Sequence, residues 1–207
     1  GYTKSTPQLM GIFDSMLHTV RGVDVNNSIV SKACDLIKDG GNFPGDGFVY
    51  NSVGAYGGRY NRPMIECIEY LELGAKCSLG KGDYLPYLAC TSNKIVISFS
   101  SGVSLLKLQK EVDDFKDILV SFGKFISVGK IYFRLIYQLV NEDSEDLLER
   151  DCFSDSQWGM LKKSVAYGAY FHLRLQSEFW KGHYSNVHRE YVLNKDLLGT
   201  LNGFSIG

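Results

Sequence analysis

Proline is scarce and net charge nearly absent. The 207 residues hold 4 prolines, none beyond Pro86, and 22 basic against 23 acidic side chains, a formal charge of -1. No positive field draws nucleic acid or an anionic membrane surface, so general nucleic-acid binding is set aside. No run reaches the roughly 18 apolar residues of a membrane span, and the opening GYTKSTPQLM lacks the apolar core of a signal peptide. The chain as given reads as soluble and cytoplasmic. Cys34, Cys67, Cys77, Cys90 and Cys152 contain no CxxC pair and no regular spacing, which indicates neither a zinc site nor a disulfide framework. Reduced thiols in cytosol-like surroundings are the expectation. His18, His172, His183 and His188 form no HExxH pattern, and the interval of five between the last two suits neither a helix face nor a strand. No metal and no cofactor is expected. What the chain does have is 44% hydrophobic residues, enough to build a core rather than stay disordered.

Composition shifts along the chain. Ten of the 22 glycines lie between Gly40 and Gly82, whereas both tryptophans and the best helical periodicity follow residue 104. Met10, Phe13, Met16, Leu17 and Val20 recur at helical spacing up to Gly22; Ile29, Ala33, Leu36 and Ile37 do so up to Gly40-Gly41, with Asn27 or Ser28 as cap. The run NFPGDGFVYNSVGAYGGRYNR, Asn42 to Arg62, has no period and reads as a long loop. A short helix, Met64 to Leu73, follows Pro63, and KIVISFS, Lys94 to Ser100, alternates like a strand or extended chain. Leu105, Leu108, Val112, Phe115, Leu119, Phe122 and Ile126 draw one apolar stripe on a long helix. A second helix spans Val128 to Val140, and Ser144 caps a third that carries Leu147, Leu148 and Cys152. SVAYGAYFHLRL, Ser164 to Leu175, is apolar nearly all round, which predicts a central helix inside a shell of amphipathic ones.

Two segments carry a resemblance. FSDSQWGMLKKSVAYGAYFHLRL, Phe153 to Leu175, resembles the first homology motif of the Bcl-2 family of apoptosis regulators, with Trp158-Gly159 opening a buried helix and Gly168 recurring within it. LQKEVDDFKDIL, Leu108 to Leu119, is similar to the family's third homology helix, with Leu108, Asp113 and Phe115 in place and Val112 at the small position. The resemblance covers residues 105 to 175. It implies a mainly α, Bcl-2-like helical bundle around a central apolar helix, one domain over 1–207. Residues 41–104 would then be a loop-rich insertion between the first and second core helices, and 105–207 the helical half. It further implies a non-enzymatic regulator of cell death that holds the amphipathic BH3-type helix of a pro-apoptotic partner in a hydrophobic groove. Leu108, Val112, Asp113, Phe115, Leu119, Trp158, Gly159, Lys162, Val165 and Tyr167 are the implied groove residues, with Phe115, Leu119, Val165 and Tyr167 as exposed walls. Intracellular membranes such as the mitochondrial one would be reached only through a tail absent from this chain. Gln157 and Met160 stand where the family has asparagine and arginine. The missing arginine removes a charge-assisted hydrogen bond of roughly 1.5–3 kcal/mol, for which nearby Lys162 is a substitute. The stretch YVLNKDLLGTLNGF resembles a degenerate second homology motif, without its Gly-Trp pair.

A different class of function competes. Gly57-Gly58-Arg59-Tyr60-Asn61 is a glycine turn able to approach a phosphate, and similar runs occur in NAD-degrading toxins. An α+β NAD-processing enzyme would use Arg59 with Glu66, Glu69 or Glu72. His183, Tyr184 and His188 are acid-base candidates without a partner nucleophile. A glycine turn of no chemical role and polar surface are the simpler readings of these residues.

Overall fold

A computed structural model describes residues 9–10, 32–33, 35–37, 45–57, 62–121, 128–141, 154–162 and 166–199. Among these residues there is helix and no strand. Two compact units divide the chain, Gly1–Val103 and Ser104–Gly207.

In the first unit, α1 (Asp46–Ser52) runs into a π-helical turn (Val53–Gly57), and α2 (Met64–Gly80) is followed by α3 (Tyr84–Ser100). Pro63 precedes α2 as its N-cap, where the missing N–H costs nothing. The same segment thus starts where the sequence predicts, but it continues seven residues past Leu73. Both α2 and α3 end in one motif. At the end of α2, Asp83 N–H donates to Ser78 C=O at 2.9 Å and Gly82 N–H to Leu79 C=O at 3.1 Å, with Gly82 at φ 69°. At the end of α3, Val103 and Gly102 repeat these bonds to Ser98 and Phe99, with Gly102 at φ 76°. This is the Schellman closure, and glycine is its natural residue because the left-handed region carries no Cβ penalty there.

The first unit corrects two expectations. The glycine-rich stretch is not a long loop: residues 46–57, 64–80 and 84–100 are helical. Nor is KIVISFS a strand; it is the second half of α3. The reason lies in which side chains face inward. On α2 these are Cys67, Leu71, Gly74 and Ser78, at intervals of four, three and four. On α3 they are Pro86, Cys90, Ser92, Ile95, Ile97 and Ser98. Small residues carry the helical period, so the helices approach closely and no leucine stripe marks them. A Cβ on Gly74 would stand 2.6 Å from Cys90 Sγ and 2.8 Å from Tyr50 Cβ, and one on Gly47 1.9 Å from Ser78 Oγ. Ala33, Ile37, Val49, Tyr50 and Val53 form one core cluster, and Ala55, Cys67, Leu71, Cys90 and Ile97 another.

The second unit contains α4 (Leu105–Ser121), α5 (Val128–Val140), α6 (Asp155–Lys162), α7 (Ala166–Trp180) and α8 (Tyr184–Gly199). It is a helical bundle in which α5 packs on α4 and α7, and α7 also meets α6 and α8. Every residue of α7 from Tyr167 through Glu178 is buried or half-buried. Tyr170, Phe171, Leu173 and Leu175 supply its core contacts. Its end repeats the Schellman bonds through Gly182 at φ 80° and His183. The third helix expected around Leu147, Leu148 and Cys152 and the first helices' remaining residues lie outside the described residues.

Candidate functional site

The motif that carries the resemblance begins with a capping box. Ser154 N–H donates to Gln157 Oε1 at 3.0 Å, and Gln157 N–H donates back to Ser154 Oγ at 3.2 Å. Two backbone donors at the start of α6 are thereby satisfied, and the helix entry is fixed. Gln157 does the work of a cap here, which accounts for the residue type at that position. Trp158 follows, with its N–H on Ser154 C=O at 2.8 Å.

Held this way, the half-buried Trp158 ring meets Tyr167 at 5.9 Å and Tyr170 at 5.4 Å, both edge to face, while the two tyrosines stack at 6.0 Å. Such pairs add about 0.5–1.5 kcal/mol each beyond their buried area. Arg174 donates to the Tyr170 hydroxyl at 3.2 Å and fixes the inner ring. On the outside, Lys162 Nζ lies over the Trp158 ring at 5.3 Å, a cation–π contact that keeps an exposed ammonium close to the indole. Gly159 is exposed, and a Cβ built on it meets nothing within 4 Å. The start of α6 is therefore an aromatic shelf with a cation at its edge and open space above its glycine.

Leu108, Val112 and Phe115 are 0%, 3% and 2% exposed on the inward face of α4, where Phe115 meets Phe133 of α5 edge to face at 6.1 Å. Phe115 as an exposed groove wall is thus corrected: it is buried, with its ring against Phe133 of α5. Asp113 is exposed and accepts a hydrogen bond from the Tyr137 hydroxyl. Burial first, and the bond and charge of Asp113 second, push the Tyr137 phenol up to about 12. Leu119 lies on α4, and Val165 lies outside the described residues. Trp158, Lys162 and Tyr167 are brought together, whereas Leu108, Val112 and Phe115 are buried on α4.

Of the residues of the competing reading, Glu66, Glu69 and Glu72 lie on α2. Arg59 lies outside the described residues. Glu66 pairs with Arg62 at 3.6 Å and Glu72 with Lys94 at 3.6 Å, both on the solvent side of α2, and Glu69 is exposed. His183 Nδ1 lies 3.1 Å from Glu178 Oε2, while His188 is exposed. Burial holds His172 below the usual imidazole range. No group of three or more His, Cys, Asp or Glu among the described residues is placed to hold a metal ion. No helix among them is long and apolar enough to cross a membrane. Sequence reasoning missed the capping box, although Ser154 and Gln157 at that interval are its signature, and it missed the Trp158–Lys162 contact, which i, i+4 spacing foretells. Comparison of the chain with protein-family models, with curated proteins and with solved structures finds no match.

Proposed function

We propose that the chain is a non-enzymatic regulator of cell death whose second unit receives an amphipathic BH3-type helix from a partner protein. The observation that carries this reading is the shelf at the start of α6: a half-buried Trp158 backed by Tyr167 and Tyr170, an exposed Gly159 with open space above it, and Lys162 at the indole face. An incoming helix needs a close-approach point, an aromatic surface and one charge to fix its register. Gly159 supplies the first, Trp158 and Tyr167 the second. Lys162 supplies the third, for an acidic residue of the ligand, in place of the arginine that Met160 replaces. The buried α4 stripe holds the unit together in this reading and is not part of the contact surface.

Fluorescence polarisation with a panel of labelled BH3-type peptides tests it. Saturable binding is expected, weakened at least about ten-fold by Trp158→Ala and by Lys162→Glu, with the fold checked by circular dichroism. Absence of binding across the panel, or binding indifferent to both variants, would sink the proposal.

A further inference from the structure

In the first unit, α2 carries an outer face that is independent of the helix-binding reading. Cys67, Leu71, Gly74 and Ser78 are buried on its inner side. With 3.6 residues per turn, the line Ile65, Glu69, Glu72, Lys76 and Leu79, spaced 4, 3, 4 and 3, runs along the opposite side, and Leu73 borders it. Ile65, Leu73 and Leu79 are 62%, 46% and 50% exposed. Three large apolar side chains on one outer face go beyond the single scattered residues normal on a surface.

The charges on this helix are used unequally. Its ionised side chains are Glu66, Glu69, Glu72 and Lys76. Glu66 meets Arg62 at 3.6 Å and Glu72 meets Lys94 at 3.6 Å, so both are paired inside the chain. Among the described residues Glu69 and Lys76 enter no ion pair, and both are exposed. Each stands more than one turn from the nearer end of α2, outside the reach of the helix dipole, so the dipole does not account for their signs. They lie two turns apart, about 10.5 Å along the axis, too far to pair with each other. The outer face thus presents one acid, one base and three apolar side chains that the described residues leave unused.

We propose that this face is the interface of a reversible dimer, in which α2 of a second copy packs antiparallel on α2 about a two-fold axis between Glu72 and Leu73. The pattern complements itself in that arrangement. The axis sets Glu69 of each copy opposite Lys76 of the other, and it repeats this pair, as an isologous contact must. Ile65 falls opposite the Leu79-Gly80 end, where a Cβ on Gly80 meets nothing within 4 Å and leaves room for it. Leu73 and its copy flank the axis. A parallel pairing would instead set Glu69 on Glu69 and Lys76 on Lys76, and like charges so placed repel. A helix of 17 residues is about 25 Å long, so the contact is smaller than the roughly 800 Å² per partner of a standard interface, and the dimer exchanges with monomer.

Sedimentation equilibrium of the full chain from about 1 μM to about 1 mM tests it. The mass is expected to rise from 23.2 kDa toward twice that value. Glu69→Lys and Lys76→Glu should each weaken association at least about ten-fold, because one substitution turns two attractions into two repulsions. The double variant Glu69→Lys/Lys76→Glu should restore association, since the exchanged charges again face each other across the axis. Both positions are exposed, and circular dichroism checks that the variants keep the fold. A wild-type chain that stays at 23.2 kDa throughout overturns the proposal and leaves the face to a foreign helix of the same charge pattern. So does a dimer indifferent to both single variants, or a double variant that associates no more tightly than either.

Discussion

The same substitution made twice in one helix should change stability in opposite directions. Gly74 and Gly80 both lie in α2, and neither has positive φ. Replacing glycine by alanine inside a helix gains up to about 1 kcal/mol from backbone propensity. At Gly80 a Cβ meets nothing within 4 Å, so Gly80→Ala is expected to stabilise, by a few tenths of a kcal/mol to about 1 at this terminal position. At Gly74 the new Cβ falls 2.6 Å from Cys90 Sγ, 2.8 Å from Tyr50 Cβ and 3.3 Å from Gly47 O. Two of these three atoms are tied to the backbone of α1 and move only if the helix moves. Overpacking of this kind costs typically about 1–3 kcal/mol, and rigid neighbours place it at the upper end. Net of propensity, Gly74→Ala should lose about 2 kcal/mol, a fall of roughly 8–16 °C if the 103-residue first unit melts alone. Urea titration followed by circular dichroism, with calorimetry to separate the transitions of the two units, measures both. Equal shifts in the two variants, or a neutral Gly74→Ala, would refute close helix approach at this glycine.

Further outcomes follow from two polar pairs, the Lys81 ammonium on the buried Asp46 carboxylate at 2.8 Å and the Tyr137 hydroxyl on Asp113. Lys81→Met leaves the Asp46 carboxylate buried without its cation and should cost about 3 kcal/mol in urea titration at neutral pH. Burial, the largest influence on Lys81, lowers its pKa, but the bond and charge of Asp46 outweigh it and the value is raised above 10.5. The stabilisation is therefore full below the unfolded value and is lost as pH rises through the folded one; wild-type stability should decline above about pH 10.5, and Lys81→Met should lack that component. Tyr137 shares the sign: its phenol stays protonated longer when folded, so its contribution disappears between pH 10 and about 12. The difference in phenolate absorbance between wild type and Tyr137→Phe should titrate near 12, and Asp113→Asn should bring the midpoint down; a midpoint at 10 in the wild type would contradict the contact.

How legible the fold was depended on the size of the inward residues. In α5 the bounds Val128–Val140 are those of the apolar pattern, because large side chains such as Ile131, Leu135 and Ile136 mark every turn. In α3 the inward face is Pro86, Cys90, Ser92 and Ser98 as much as isoleucine, and the seven residues of KIVISFS show a local alternation that the helix overrides. In the preceding stretch, glycine reads as turn chemistry, yet Gly47 and Gly74 are there because neighbouring helices leave no room for a side chain. The aromatic shelf was legible as Trp158-Gly159, whereas its support by the Ser154–Gln157 box and Lys162 required reading the same segment for caps and i, i+4 pairs. The ion pair of Asp46 and Lys81 was not legible, since its members are 35 residues apart and meet only through the packing of α1 on α2.

The closures at Gly82, Gly102 and Gly182 turn handedness into a handle on this chain. Each backbone sits at φ between 69° and 80°, and a Cβ on any of them meets nothing within 4 Å. An L-alanine there is strained, whereas a D-alanine occupies its own preferred region and narrows only the unfolded ensemble. A semisynthetic chain with the mirror-image residue at position 82 would thus gain about 0.4–1 kcal/mol without altering one packing contact, and the L-epimer would lose stability from the same atoms.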